Sequence, residues 1–216
     1  MGKDVVMERS YWNDYYSSHY NVHDPTTFSQ FCLKTYLNST SRILELGCGN
    51  GRDTFFFAEH GHNIIGIDLS EIAIENNIKR SKRLNLDGLA KFIVNDFIGD
   101  LTEYGSFDAI YSRFSMHTIT EADAELVIRN AYDILIRGGF FFIECRTIND
   151  ELYSVGKKLS EFERYTDHYR RFIDGTKFLQ QIINVGFQVR LYLEDNNFAK
   201  FHNENPVVAR YVLIKT

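Results

Sequence analysis

The residues best placed to do chemistry in this chain form the run Glu45-Leu-Gly-Cys-Gly-Asn-Gly51. Gly47, Gly49 and Gly51 alternate at the end of an apolar stretch, Arg42 to Leu46, and just before a helix-like segment, Arg52 to His60. A glycine turn between a buried strand and a helix lets the backbone pass close to a bound cofactor, because no Cβ intervenes and positive φ carries no penalty. The next apolar segment, Asn63 to Asp68, ends in a carboxylate 21 positions after Gly47. An acidic residue at about that distance accepts hydrogen bonds from a nucleoside ribose in doubly wound sheets. A third apolar segment, Lys91 to Val94, runs into Asn95-Asp96-Phe97. The dinucleotide fingerprint G-x-G-x-x-G would need a glycine at position 52, which is Arg52, so the spacing counts against a pyrophosphate cofactor.

A second set of polar residues follows the later strands. After Phe107 to Ser112 come Arg113 and His117. A histidine titrates near working pH, so His117 is a candidate base; it could equally cap the helix that begins near Glu121 or pack beneath its loop. Arg113 either meets an anionic acceptor or pairs with a surface carboxylate. After Phe140 to Glu144 come Arg146 and then Tyr165-Thr-Asp-His-Tyr-Arg-Arg-Phe172. Arg146, Arg170 and Arg171 suit a bidentate hold on phosphate or carboxylate, with Tyr169 among them. Asp167 could orient His168, a second candidate base. The same stretch also reads as a solvated charged face.

The elements that would position these groups alternate. One or two short aromatic-rich helices span Glu8 to Tyr20, and another runs from Thr26 to Leu37. Strands are expected at Ser41 to Leu46, Asn63 to Leu69, Lys91 to Val94, Phe107 to Ser112 and Phe140 to Glu144. Between them lie helices at Arg52 to His60, Ser70 to about Leu84 with Ile72, Ile74 and Ile78 as its apolar positions, and Glu121 to Ile136. This alternation implies right-handed crossovers and a parallel sheet. An irregular insertion, Arg146 to Ile173, precedes a helix at Thr176 to Val185 and strands at Gln188 to Leu193 and Val207 to Ile214.

The spacing G-x-G-x-G, with Glu45 before it, Asp68 after the second strand and Asn95-Asp96-Phe97 after the third, resembles the class I S-adenosylmethionine methyltransferases. The resemblance implies an α/β, Rossmann-like fold: a mostly parallel seven-stranded sheet, helices on both faces, and an antiparallel C-terminal strand. It implies S-adenosyl-L-methionine as cofactor and S-adenosyl-L-homocysteine as product. The implied cofactor set is Glu45, Gly47, Cys48, Gly49, Gly51, Asp68 and Leu69, with Asp96 facing the adenine amino group, Asn95 and Phe97 beside the ring, and Ser112 against the methionine. Cys48 reads as a small residue tolerated in the turn. Tyr11, Trp12 and Tyr16 would cover the donor, or pack an aromatic face on the core. Arg52 would bridge the donor carboxylate, or lie on the surface.

The Tyr11-Trp12 start resembles small bacterial methyltransferases of the tellurite-resistance and thiopurine types. The late Asp167-to-Arg171 motif and the general layout are similar to methyltransferases encoded with capsular or surface polysaccharide genes. The implied activity is O-methylation of a small anionic acceptor: a sugar, a nucleotide sugar or a phosphate-type substituent. The rivals are an S- or Se/Te-directed detoxifying enzyme and a non-catalytic module that binds the cofactor for a partner.

Composition bounds the rest. With 216 residues, 44% of them hydrophobic, the chain suits a single domain, 1–216, with 1–40 as a helical cover and 146–173 on the acceptor side. A net charge of −5 supplies no basic field for nucleic acid or an anionic membrane. The motif Asn/Asp-Pro-Pro-Tyr/Phe of amino-directed nucleic-acid methyltransferases is absent. The three cysteines, Cys32, Cys48 and Cys145, fit neither a disulfide framework nor a metal site, so no metal is expected. Met1 to Asp4 lacks a leader pattern, and the expectation is a cytoplasmic protein, monomeric or homodimeric, without membrane insertion.

Overall fold

The computed structural model describes residues 5–21, 24–200 and 204–216; Met1 to Asp4, where a leader was sought, lie outside them. The chain groups into two compact units, divided between Phe97 and Ile98. Seven strands form one sheet, in which the first unit contributes the order β3-β2-β1 and the second β4-β5-β10-β9.

In the first unit, α1 (Val5–Ser18) is one continuous helix. Next comes α2 (Thr27–Tyr36), capped by Thr26, whose side chain accepts from the Ser29 amide. The strands β1 (Arg42–Leu46), β2 (Asn63–Asp68) and β3 (Ala90–Val94) pair in parallel. The last four residues of β1 are buried, as expected of a parallel strand covered on both faces. Between the strands run α3 (Arg52–Glu59) and α4 (Glu71–Arg83). Ser70 caps α4 by accepting from the Ala73 amide. Gly66 permits the close approach of α3 and the glycine turn to β2: a Cβ there would come within 2.9 Å of Thr54 Oγ1 and 3.0 Å of Cys48 Sγ.

The buried face of α4 differs from the expected one. Ile78 is 39% exposed, whereas Ala73, Ile74, Asn77 and Ser81 are buried. The true stripe repeats at Ala73, Asn77 and Ser81, a period of four made of small and polar residues, which an apolar count passes over.

In the second unit, β4 (Phe107–Arg113) pairs in parallel with β5 (Leu135–Arg146), and α5 (Glu121–Ile134) connects them. The helix stops two residues earlier than the apolar period suggests. Leu135 is already extended and pairs with Phe107, and the ladder shifts register before Ala109 pairs with Phe140. The region 146–173 is not irregular. It holds a small antiparallel sheet of β6 (Lys157–Lys158), β7 (Glu163–Tyr165) and β8 (Tyr169–Arg171). Strands of two or three mostly charged residues carry no alternation to read. After α6 (Gly175–Val185), β9 (Phe187–Asp195) and β10 (Val208–Lys215) close the chain, with β10 antiparallel to both β5 and β9.

Candidate functional site

The first unit builds a cradle. Gly47, Gly49 and Gly51 all take left-handed φ values, 72°, 50° and 73°, so the alternating glycines have a backbone cause. The Gly47 and Cys48 amides donate to Ile67 O at 2.9 and 3.0 Å, which pins the turn to the end of β2. Asp68 is buried; its Oδ2 accepts from the Gly49 amide at 2.8 Å and its Oδ1 from the Ser70 amide at 2.9 Å. Burial raises the Asp68 pKa, and those backbone donors oppose the rise. A Cβ on Gly49 would overlap the Tyr16 hydroxyl, so α1 reaches directly over the turn.

Other residues expected to hold a cofactor lie in the same unit. Trp12 lies edge-on to Tyr11 at 5.0 Å and stacks near Tyr16 at 6.1 Å between ring centroids. Arg52 begins α3, close enough that its charge opposes the strong rise of the Tyr16 pKa, which burial and then Asp68 produce. Leu69 follows β2 directly. The Asn95 amide donates to Asp68 O at 3.0 Å, and Asn95 Oδ1 accepts from the Asp96 amide at 2.8 Å; Phe97 is buried. Glu45 accepts from the Thr54 hydroxyl within the unit. Burial, then Asp53, pushes its pKa well above the carboxylate range.

Two supports were not read from the sequence. Asn77 donates to Gly49 O at 2.8 Å and accepts from the Tyr20 hydroxyl at 3.2 Å. Asn13 Oδ1 accepts from Ser70 Oγ at 2.9 Å, joining α1 to the start of α4. The four-residue spacing of Ala73, Asn77 and Ser81 was the available signal for the first; nothing local marks the second.

The second unit holds the histidines and arginines. Ser112 Oγ lies 2.6 Å from Ser115 Oγ at the end of β4. Phe114 has φ 59°, a left-handed conformation that costs an L residue about 1–2 kcal/mol. Its amide donates to Glu144 O at 2.9 Å, and the Arg113 guanidinium stands 4.2 Å over its ring. Arg113 does pair with a carboxylate, a buried one: Glu144 accepts from Arg113 Nε at 2.8 Å and from Arg210 Nε at 2.7 Å.

His117 is buried, and its Nδ1 accepts the Arg146 amide at 3.2 Å. A neutral ring that accepts at Nδ1 carries its proton on Nε2. Burial lowers the His117 pKa well below the usual value, and Arg146, Arg170, His168 and Arg171 lower it further. Arg146 itself grips Asp150 at 2.9 Å and Glu204 at 2.8 Å. Arg171 is buried, donating to Ile119 O at 3.1 Å and Met116 O at 3.2 Å. Arg170 sits at the hairpin tip on Thr166 Oγ1 at 2.6 Å, with Asp167 at 3.5 Å. Asp167 Oδ1 lies 3.0 Å from His168 Nδ1, and Tyr169 donates to Glu163.

Residues 43–139 match the family model described as a methyltransferase domain, and the sheet order is that of the class I methyltransferase fold. The chain is 30% identical over 163 residues to phosphoethanolamine N-methyltransferase 1 of Zea mays, covering 74% of this chain and 31% of that one. The CcbJ methyltransferase of Streptomyces caelestis superposes with a TM-score of 0.76 at 16% identity, over 97% of this chain and 99% of that one. The glycopeptide N-methyltransferase MtfA, complexed with S-adenosyl-L-homocysteine, superposes with a TM-score of 0.69 at 16% identity, over 88% and 90%. The chain spans 55%, 31% and 26% of the length of three curated relatives it matches. Among the described residues no helix is long and apolar enough to cross a membrane, and no cluster of three or more histidine, cysteine or acidic side chains could hold a metal ion.

Proposed function

We propose that the chain is an S-adenosyl-L-methionine-dependent O-methyltransferase acting on a small anionic acceptor. The observation that carries the cofactor assignment is the cradle: three left-handed glycines and a buried Asp68 bonded back to the middle one. When bound, the cofactor supplies an activated methyl group on a sulfonium. Gly47, Gly49 and Gly51 admit it, Asp68 takes the ribose hydroxyls, Asp96 the adenine amino group, and Tyr11, Trp12 and Tyr16 exclude water. What the chain must then do is align the acceptor and, for a hydroxyl, take up a proton.

His168 is the better base. The Asp167 carboxylate lies 3.0 Å from its Nδ1, and a neighbouring carboxylate stabilises the imidazolium that forms when a base takes up a proton. His117 accepts the Arg146 amide at Nδ1 and so ties the loop after β4 to the end of β5. Arg170 and Tyr169 meet the acceptor's anionic group. Arg113, Arg146 and Arg171 hold the wall of the site through Glu144, Asp150 and the Met116 and Ile119 carbonyls. The Zea mays relative is named for phosphoethanolamine, a small phosphate-bearing acceptor, which supports the anionic class. Sugars, nucleotide sugars and phosphate-type substituents, as in capsule or surface polysaccharide biosynthesis, are the acceptors to try.

Calorimetry with S-adenosylhomocysteine, and NAD as control, tests the cofactor assignment. Binding of the first alone is expected, and Asp68→Asn weakens it several-fold. Absence of binding refutes the reading. In a screen of phosphorylated and nucleotide-linked sugars, His168→Ala abolishes turnover while leaving cofactor affinity intact. Turnover that survives in His168→Ala and is lost in His117→Ala moves the base to His117.

A further inference from the structure

We propose that the second unit holds a separate binding site for a small zwitterion of the amino-acid type, in a cavity bounded by β8, the start of α5 and the first turns of α6. The cavity has a volume of about 170 Å³, and its lining includes Arg171, Lys177, Glu121, Glu163, Phe162 and Phe178. Neither His117 nor Arg146 lines it. Its lining shares Arg171 with the frame of the proposed methyl-transfer site, but none of the residues given a base or acceptor-binding role there.

The case begins with Arg171. Its side chain belongs to a residue only 6% exposed. Two of its nitrogens donate to the carbonyls of Ile119 and Met116. No carboxylate among the described residues lies within ion-pair distance of the guanidinium; burial lowers its pKa, and Tyr169, Cys145, Glu121 and Glu163 oppose this from longer range. A buried charge held only by carbonyls carries a desolvation penalty that an anion would offset. Lys177 has no carboxylate partner among the described residues either; its Nζ stands 4.4 Å from the centroid of the Phe162 ring. The cavity thus offers two cations without an ion-pair partner among the described residues, facing carboxylates of the same wall.

The carboxylates of the same wall are each partly engaged. Asp174, also in the lining, caps α6 through Oδ1, accepting from the Thr176 and Lys177 amides at 3.0 and 3.2 Å. Glu121 Oε1 accepts from Gln181 at 2.8 Å, and Glu163 Oε1 from Tyr169. Each keeps a second oxygen. A plain anion would meet three carboxylates, and a plain cation would meet a buried arginine. A molecule with both charges satisfies both sets, its carboxylate toward Arg171 and Lys177 and its ammonium toward Glu121 and Glu163. The phenylalanines receive its apolar body, as pockets of this kind combine apolar walls with a few polar anchors. The Arg171 amide also donates to His117 O at 2.7 Å, so an occupant would brace the loop that carries His117.

The test uses the full chain and each common L-amino acid in turn, first by thermal shift and then by calorimetry. The best binder is compared with its deaminated and decarboxylated counterparts. Saturable binding is expected for at least one amino acid, with each singly charged counterpart about tenfold weaker or worse, the loss of one charge-assisted contact. Arg171→Gln risks unfolding the loop, so Lys177→Gln and Glu121→Gln are the variants. Each should weaken the amino acid about tenfold while S-adenosylhomocysteine affinity stays unchanged. The proposal is overturned if no amino acid binds, if a singly charged counterpart binds as well, or if both variants bind like the parent. Loss of S-adenosylhomocysteine binding in the parent would instead count against the methyltransferase reading alone.

Discussion

The two units bury acidic side chains in opposite ways. In the first, Glu45, Asp53 and Asp68 are all buried, and each accepts from neutral donors: the Thr54 hydroxyl for Glu45, the Thr26 amide and the Thr26 and Ser29 hydroxyls for Asp53, and the Gly49 and Ser70 amides for Asp68. In the second, Glu144 lies between Arg113 and Arg210, and Asp150 is gripped by Arg146. Neutral donors leave a buried carboxyl spare coordination, which suits a site proposed to receive hydroxyls and an amino group. Guanidinium pairs neutralise the acid and lock both partners, which suits the frame around a reacting centre. The arginine-rich half is therefore read as rigid wall, with Arg170 and His168 at its edge, rather than as one large anion clamp.

The largest test of that contrast is Glu144→Gln. The change leaves Arg113 and Arg210 beside a neutral amide in a buried setting, and breaking a buried pair from one side costs roughly 3–5 kcal/mol. Thr54→Val, which removes the neutral donor from Glu45, should cost about 1–3 kcal/mol. Urea denaturation of the two variants measures both. Equal losses would mean that the arginine pairs are no more binding than the hydroxyl contacts, and the contrast would fail.

A smaller, more local effect is expected at Gly49. Alanine there must hold φ near 50°, at about 1–2 kcal/mol, and must displace the Tyr16 hydroxyl that its Cβ would overlap. Gly49→Ala should weaken S-adenosylhomocysteine binding about tenfold, since 1.4 kcal/mol corresponds to a factor of ten. Combining it with Tyr16→Ala should restore part of the loss if the overlap contributes, and none if backbone strain is the whole cause.

How much of this could be read in the sequence follows from the range of each signal. The glycine turn, the Ser70 cap and the carboxylate of Asp68 are local: residue type and spacing fix φ, capping and strand end within a few positions. The strands β1 to β5 were legible because apolar runs alternate with helical periods. Asn77 was not, because a buried asparagine is defined by what it meets, here Gly49 O and Tyr20. The small sheet of β6, β7 and β8 was missed because short charged strands lack a pattern. The three arginines looked equivalent in the sequence. Only their distant partners, at Glu204 for Arg146 and at Met116 and Ile119 for Arg171, separate the fixed ones from Arg170.

The finest test of the contrast is its proton linkage, where the buried acids of the first unit and the buried histidine of the second carry opposite signs. Burial holds Glu45 well above and Asp68 above the usual carboxylate values. Between the unfolded value of about 4.3 for Glu or 3.9 for Asp and its raised folded value, each is protonated in the folded chain and ionised in the unfolded one. Their contribution is therefore fully present at low pH and lost as pH rises through the raised value. Burial and the neighbouring arginines hold His117 well below its usual value. Between that lowered value and about 6.5 the unfolded chain takes up a proton that the folded chain refuses, so stability falls as pH drops through this window. His62, lowered by burial and then His60, adds to the histidine side from the first unit. His117→Gln should accordingly lessen the loss of stability on acidification, by at most about 1.4 kcal/mol per pH unit for one proton, and Glu45→Gln should deepen it. Urea midpoints at several pH values between 7.5 and 5 separate the two. If His117→Gln leaves the slope unchanged, the imidazole takes up its proton in the folded state, and its role as a fixed neutral acceptor of the Arg146 amide is wrong.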